Sequence, residues 1–189
     1  MPAYVGLLRA VNLGEGTLVR MEELRSLLEK EGLDQVRTLL NSGNIVFRSS
    51  SRSGATLERS LSDKIARSFH VKTELFLRSA HEWETIVAHN PFLTEARVGP
   101  GHLLVLVLRD SPSPDRWRAL QGAIRGRERF QEAGRHAYVV YPDGVGRSKF
   151  TSALIESKLE TAGTLRNWNT VTKLGALVGG LEGARANSR

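Results

Sequence analysis

Two segments that are apolar on both alternating faces constrain this fold more than any other feature. Residues 3–11 and 103–108 each place apolar side chains on both sides of an extended chain. That pattern is typical of a central strand that is covered on both of its faces. Each segment is followed by the same order of predicted elements, which is a helix, two strands and a second helix.

The elements after the first segment have clear boundaries. A predicted helix carries apolar residues from Met21 to Leu28 and ends at Gly32. Residues 41–44 read Asn-Ser-Gly-Asn, which is typical of a turn between two short strands. Apolar residues at every fourth position from Leu57 to Phe69 predict a second helix, and residues 73–77 predict a strand. The order βαββαβ is that of a ferredoxin-like unit.

The second half repeats most of this order. After the strand at 103–108, the pattern predicts a helix around Trp117, two strands, and a helix that carries Leu154 and Leu159. Residues 164–170 are predicted to begin a last helix, in the position where the first half has its final strand. The second half is therefore predicted as βαββα followed by a C-terminal helix.

These patterns predict an α+β protein of two ferredoxin-like halves, related by structural duplication and packed into one compact body. The first half spans residues 1–90 and includes a short helix, the second spans 91–178, and residues 179–189 form a frayed tail. Each half alone would leave one face of its sheet uncovered. Either the halves cover each other or a homodimer does so, and both a monomer and a homodimer stay open.

The composition narrows the classes of function. The chain has 27 Lys and Arg against 20 Asp and Glu, a formal net charge of +7. A basic surface attracts nucleotides and nucleic acids, although arginine-rich coding composition explains the same excess without a ligand. The absence of cysteine excludes thiolate chemistry and agrees with a cytoplasmic location. The longest apolar run, 103–108, is too short to span a membrane, and we read no export signal, so no membrane partner is expected.

Polar residues are predicted to meet at one end of the first sheet. In a βαββαβ unit, the loop after the first strand and the turn between the second and third strands lie at the same end. That end brings together Arg9, Asn12, Ser42 and Asn44 with the glycine-containing loop 13–16. Backbone amides, a helix N-terminus and an arginine suit a phosphate or a carboxylate. Asn and Gly also close turns without a ligand, so a purely structural explanation stays open.

Two further polar segments lie in the second half. Ser148 and Lys149 follow the sequence Gly-Val-Gly-Arg between a strand and a helix, and Arg166 and Asn167 precede Trp168. Glycines admit a ligand to the backbone, and arginine, serine and lysine are common phosphate contacts. Each segment also has a structural explanation. The first is a turn before a helix, and the second is a helix N-cap beside a core tryptophan.

An arginine-rich stretch runs from Arg116 to Arg135 and is interleaved with Trp117 and Phe130. It suggests either an RNA-facing surface with stacking aromatics or, with better support, a solvated face whose aromatics turn inward. The histidines show no metal-ligand spacing, and no nucleophile–base pair is recognisable. No metal site is predicted, and catalytic residues and cofactors stay unknown.

The order of several short motifs resembles a known bacterial family. These are Leu-Leu-Arg-Ala-Val-Asn-Leu-Gly at 7–14, Ser-Gly-Asn-Ile-Val-Phe at 42–47, Gly-Arg-Ser-Lys at 146–149 and Arg-Asn-Trp-Asn-Thr at 166–170. Together they are similar to domain-of-unknown-function family sixteen ninety-seven. The resemblance implies an α+β fold of ferredoxin-like units in a cytoplasmic protein, and it implies no activity, substrate or cofactor. The chain departs from the family pattern at residues 10–11 and at Leu165, where the family has Gly-Ile and Thr.

The sequence thus predicts a protein that binds a phosphate-bearing ligand, either a nucleotide or a nucleic acid, at a junction of polar loops. Charge would be neutralised by Arg9, Lys149 and Arg166, and hydrogen bonds would come from Asn12, Ser42, Asn44, Ser148 and Asn167. One alternative is a phosphoryl- or nucleotidyl-transfer enzyme, for which Asp143 is the only adjacent acid. The other is a protein-interaction module without a ligand. Whether the protein is an enzyme is left open.

Overall fold

The computed structural model describes residues 1–12, 18–50 and 54–183. Within these ranges the chain forms two compact units, one of residues 1–88 and 173–183 and the other of His89–Thr172. Each unit contains one four-stranded antiparallel sheet with helices packed against it. The predicted α+β fold of two ferredoxin-like units is therefore confirmed. In the described ranges, no helix combines the length and the apolar character that a membrane span requires.

The first unit has the strand order β2-β3-β1-β4, which is the order of a ferredoxin-like sheet. Its core lies between the sheet and the apolar faces of its helices, where Leu24, Leu28, Leu61 and Ile65 are buried. The turn at Gly32 adopts the positive φ of +82° that a glycine accepts after a helix. The elements are β1 (Ala3–Leu8), α1 (Met21–Lys30), β2 (Asp34–Leu39), β3 (Asn44–Arg48), α2 (Gly54–Phe69), β4 (Leu75–Ser79) and α3 (Ala80–Ala88).

The second unit has the matching order β6-β7-β5-β8. Its core is built from β5, β7 and the helices, with Trp117, Leu120, Ile155 and Leu159 buried. The elements are α4 (Leu93–Val98), β5 (Leu103–Leu108), α5 (Pro114–Gln121), β6 (Arg129–Glu132), β7 (His136–Val140), α6 (Ser152–Leu159), β8 (Gly163–Asn167) and α7 (Trp168–Gly183). Helix α4 has no buried residue and was not predicted.

The strand β8 corrects the prediction for the second half. Residues 164–167 were expected to begin the last helix, but they form the missing final strand and pair antiparallel with β5. They do so because β5 has a free edge beside it, and the pairing leaves Thr164 buried and packs Leu165 against the helix-side core. The helix begins one residue later, at Trp168, because the Asn167 side chain accepts a hydrogen bond of 3.0 Å from the Thr170 amide.

The C-terminal helix also runs further than predicted. Residues 179–183 were expected to belong to a frayed tail, yet α7 continues through Gly183. Leu181 is buried, and a Glu182 carboxylate oxygen accepts a 3.0 Å hydrogen bond from the Ala3 amide. These contacts hold the last turn, and they place the helix from Lys173 onward in the first unit. Residues 184–189 lie outside the described ranges.

The two units repeat the same hydrogen-bond register. Val5 of β1 pairs with Arg78 of β4, and Val105 of β5 pairs with Arg166 of β8. Just past each central strand, the Arg9 amide donates to Glu74 and the Arg109 amide donates to Ala162, both at 2.9 Å. The duplication inferred from the order of elements is thus also present at the level of individual residue pairs.

Candidate functional site

The predicted polar corner of the first unit exists at the end of β1. The Asn12 side-chain amide donates a 2.7 Å hydrogen bond to the Asn41 carbonyl, so the loop after β1 meets the β2–β3 turn as expected. The same amide donates to the Val19 carbonyl at 2.9 Å, and its oxygen accepts from the Val19 amide at 2.8 Å. Asn12 therefore joins three loop segments. The predicted contribution of the loop 13–16 lies outside the described residues.

Asn44 turns into the protein, and its side chain is bonded to the exposed Ser42. Asn44 is fully buried and donates to the Leu39 carbonyl at 3.0 Å and to the Ser42 hydroxyl at 2.8 Å. Between them, Gly43 has a φ of +72°, and a Cβ there would lie 2.6 Å from the Leu8 Cβ. These side chains hold the backbone of the turn, so their role in the corner is to shape it.

Arg9 lies beside the start of β4 and borders a small cavity of about 200 Å³. Its guanidinium donates from Nη1 to Glu74 Oε2 at 2.9 Å. The Thr73 hydroxyl donates to the Arg9 carbonyl at 2.7 Å, which fixes the end of β1 to the segment before β4. Lys72 is exposed, and it forms no ion pair with any residue in the described ranges. We call this cavity, lined by Arg9, Ala10, Lys72, Thr73 and Glu74, the Arg9 pocket.

Sequence reasoning missed Lys72, Thr73 and Glu74 as members of this corner. A signal was available: β4 is antiparallel to β1 in a βαββαβ sheet, so β4 begins where β1 ends. The prediction of the corner rested only on the β2–β3 turn, on the other side of β1. The corner therefore has a structural side, at Asn12 and Asn44, and a charged side, at the Arg9 pocket.

Ser148 and Lys149 lie in different environments although they are adjacent. The Ser148 hydroxyl donates to a Glu128 carboxylate oxygen and accepts from the Phe150 amide at 2.9 Å. The other carboxylate oxygen of Glu128 is buried and has no hydrogen-bond partner among the described residues. Lys149 is exposed to solvent. The pair of Ser148 and Glu128 connects the start of β6 to the segment before α6.

Arg166 lies on the face of its sheet that is opposite the helices, because its neighbour Leu165 packs against the helix-side core. Its guanidinium donates to the Thr164 hydroxyl and to the Leu165 carbonyl, each at 2.8 Å. Burial lowers the pKa of Arg166 to about 10. Arg78, its register equivalent in the first unit, is also buried and donates to the Leu77 carbonyl at 2.7 Å. The four predicted residues of the second half thus do not form one cluster: Ser148 bonds to Glu128, Arg166 lies on the opposite sheet face, and Asn167 caps α7.

The arginine-rich stretch is largely neutralised within the second unit. Four of its arginines form ion pairs, which are Arg116–Glu160, Arg118–Asp115, Arg127–Asp143 and Arg129–Glu95. The hydrogen bond from Arg127 lowers the pKa of Asp143, and the hydrogen bond from Arg129 lowers that of Glu95. Trp117 is buried, and the Phe130 ring packs beside it at a tilt, with 5.6 Å between ring centroids. The prediction of a solvated face with inward aromatics is confirmed.

The sheet faces opposite the helices are buried in both units. Val5 and Phe76 of the first unit and Val105 and Tyr138 of the second are at most 1% exposed. Burial also raises the pKa of Tyr138 to about 12. RNA-recognition domains of this topology stack bases on that face, which requires exposed aromatic rings. A candidate ligand site in either unit is therefore at the ends of the strands and not on these sheet faces. No group of three or more potential metal-ligating side chains converges within the described residues.

A family model described as "Protein of unknown function (DUF1697)" matches residues 1–138. The chain belongs to this family. Membership agrees with the motif resemblance and brings no activity with it, so the site must be judged on its own geometry. No curated protein matches the chain.

Solved structures add information on the fold. The conserved bacterial protein SP0830 from Streptococcus pneumoniae is 22% identical, with a TM-score of 0.74 over 94% of this chain and 98% of that one. This likeness shows that another protein has the same two-unit fold. A putative chlorite dismutase, TA0507, is 12% identical and covers 94% of this chain and 100% of its own, with a TM-score of only 0.28. That value is too low to support an argument.

Proposed function

We propose that this protein binds a small phosphate-bearing ligand of the nucleotide class, with the phosphate in the Arg9 pocket. The observation that carries the proposal is the position of Arg9, which a 2.9 Å bond to Glu74 holds at a cavity of about 200 Å³. A guanidinium has five N–H donors in a fixed plane, so it can hold a carboxylate and a phosphate together. In this arrangement Glu74 orients Arg9, and the ligand approaches from the cavity side.

Lys72 supplies the second positive charge. It lies on the same cavity and is exposed, without an ion-pair partner among the described residues. The residues that line the pocket thus carry two cations and one carboxylate, a formal charge of +1. The volume suits a phosphate with part of a sugar and is too small for an entire nucleotide. A base would extend beyond the pocket.

Two observations favour a small ligand over a nucleic acid. An extended polyanion needs a track of available cations, and four arginines of the basic stretch are already paired with carboxylates. Single-stranded RNA also needs accessible stacking surfaces, and the sheet faces of both units are buried. The lining residues of the Arg9 pocket include two cations, which suits a local anion.

The experiment is titration calorimetry with inorganic phosphate, mononucleotides and a short single-stranded oligonucleotide, at low and at high salt. We expect Lys72→Ala to weaken mononucleotide binding by about tenfold, since it removes one charge-assisted contact of about 1.5 kcal/mol. Arg25→Ala is the matched control, because it removes one exposed positive charge from α1, away from the pocket. It should leave the affinity unchanged.

The outcomes separate the candidate sites. Equal loss in Lys72→Ala and Arg25→Ala, or binding that high salt abolishes for every polyanion, would mean only general electrostatic attraction. Loss in Lys149→Ala with no effect of Lys72→Ala would move the phosphate to the second unit. Either result would contradict the assignment to the Arg9 pocket.

A further inference from the structure

A groove runs along the outer side of α1 beside the end of α2. It has a volume of about 350 Å³. Its apolar floor consists of Leu27 and Phe69, which are both only half-buried by their own unit. We call it the α1–α2 groove; its rim carries Arg20, Glu22, Glu23, Ser26, Lys30 and Ser68. The groove is separate from the Arg9 pocket and shares no lining residue with it.

The charges along the groove follow the direction of α1. Glu22 and Glu23 lie in its first turn, and Lys30 lies in its last. Glu23, Leu27 and Lys30 are spaced by four and three residues, so they lie on one side of the helix. Lys30 forms no ion pair within the part of the chain that the structure describes. Arg20, just before α1, forms an ion pair with Glu23 at 3.9 Å, so Arg20, Glu22 and Glu23 together give the start of the groove a net charge of −1. The side of α1 that borders the groove is thus net acidic at its start, apolar in its middle and basic at its end.

The order of charges along this side of α1 is complementary to the same order read in the opposite direction. Two copies of α1 can therefore pair when they run antiparallel. If a second α1 lies antiparallel with the two-fold axis between Ser26 and Leu27, Glu23 of each helix comes opposite Lys30 of the other. Two identical ion pairs then flank one apolar contact, which is the arrangement that a two-fold axis produces. Antiparallel packing also places the N-terminus of each helix dipole near the C-terminus of the other. An unrelated partner would need the same charge order by coincidence, whereas a second copy of this chain always has it.

We propose that the α1–α2 groove is a homodimer interface in which two copies of α1 pack antiparallel. Leu27 and Phe69 supply its apolar centre, and Glu23 and Lys30 set its register. One helix face and one groove bury less than the roughly 1,200 Å² of a stable interface, so the dimer is weak and depends on concentration. The proposal is independent of the proposed function, because the interface and the Arg9 pocket use different residues.

The test is a charge swap, measured by sedimentation velocity over about 10 µM to 1 mM protein. Glu23→Lys and Lys30→Glu should each weaken the dimer by about tenfold or more, since each creates two like-charge contacts across the two-fold axis. The double variant restores both pairs in reversed order. It should recover the dissociation constant of the natural chain.

Two control variants change the net charge by the same amounts as the two test variants, but they leave the groove residues unchanged. Glu29→Lys and Arg25→Glu change exposed residues that lie on the other side of α1. We expect them to alter the dissociation constant by less than about twofold. Circular dichroism of each variant checks that α1 still folds.

Three results would overturn the proposal. The natural chain could stay monomeric up to about 1 mM, the double variant could dissociate as readily as the single variants, or the controls could weaken the dimer equally. If the groove instead binds a small molecule or another protein, the natural chain stays monomeric, which is the first of these results. Nucleotide binding by the single variants should match the natural chain, so failure of the dimer and failure of the phosphate site can be told apart.

Discussion

The two units have the same backbone at the end of their central strands and different chemistry around it. Arg9 and Arg109 occupy equivalent positions, because each amide donates at 2.9 Å to the residue before the last strand of its sheet. That residue is Glu74 in the first unit and Ala162 in the second. Two positions earlier, Lys72 corresponds to Glu160, which pairs with Arg116 of α5 instead. The two units thus have the same main-chain register, but the charged residues at the ends of their strands differ.

The same contrast applies to the helices. In the second unit, α5 and α6 contact each other along more of their length than α1 and α2 do in the first. The first unit has the α1–α2 groove in this position. The Arg9 pocket and the groove both lie in the first unit.

The largest expected effect tests the two turns between the outer strands. Gly43→Ala should destabilise the protein by about 3 kcal/mol or more, since positive φ disfavours a side chain and its Cβ would overlap Leu8. Gly134 also has a positive φ, of +67°, but the nearest atom to a Cβ there is at 3.9 Å. Gly134→Ala should cost about 1 kcal/mol from backbone strain alone. Urea unfolding measures both, and equal losses would contradict the tighter packing of the first turn.

A second comparison concerns how each turn is held. Asn44→Ala should cost about 2 kcal/mol, because it removes the hydrogen bond that the buried Asn44 side chain donates to the Leu39 carbonyl. In the second unit, Arg135 donates from the exposed surface to the Arg109 carbonyl at 3.1 Å. Arg135→Ala should therefore cost about 0.5 kcal/mol or less. Denaturation midpoints measure both changes. A larger loss in Arg135→Ala than in Asn44→Ala would contradict this comparison.

The smallest expected effect is a pH dependence in the second unit. The hydrogen bond from Arg129 lowers the pKa of Glu95, so the ionised carboxylate stabilises the folded state. This contribution is fully present above the pKa of Glu95 in the unfolded chain and is lost as the pH falls through its lower folded value. Glu95→Gln should cost about 0.5 kcal/mol near neutral pH, as is usual for an exposed pair. The difference should vanish in acid; a constant difference would contradict the ionic origin.

Local sequence patterns predicted most of the elements. Apolar spacing identified the helices that carry Leu24, Leu28, Leu61 and Ile65, because a helix buries every third or fourth residue wherever it packs. The residues around Gly43 predicted the turn, because few other sequences accept its backbone conformation. Such signals depend on residues that are close in the chain. They are therefore readable without knowledge of the rest of the protein.

Errors arose where pairing with a distant strand decided the outcome. Residues 163–167 have no strong strand pattern of their own, and they become β8 because β5 offers a free edge. The predicted site shows the same limit. Asn12 and Asn44 were expected to face a ligand, but their hydrogen bonds go to the Val19, Asn41 and Leu39 backbone. A residue type shows which bonds a side chain can form, and only the folded neighbourhood shows which partners it meets.

By itself, the sequence determined the α+β class, the two ferredoxin-like units and the corner at the end of β1, because periodicity, turns and strand order are local or topological properties. Only the tertiary structure decided which polar side chains of that corner are committed to the backbone and which border a cavity. It brought Arg9 to Glu74 and Lys72, more than sixty positions away along the chain. Such contacts depend on side-chain packing across strands. Two turns of similar composition can therefore differ in chemistry while their backbones stay alike.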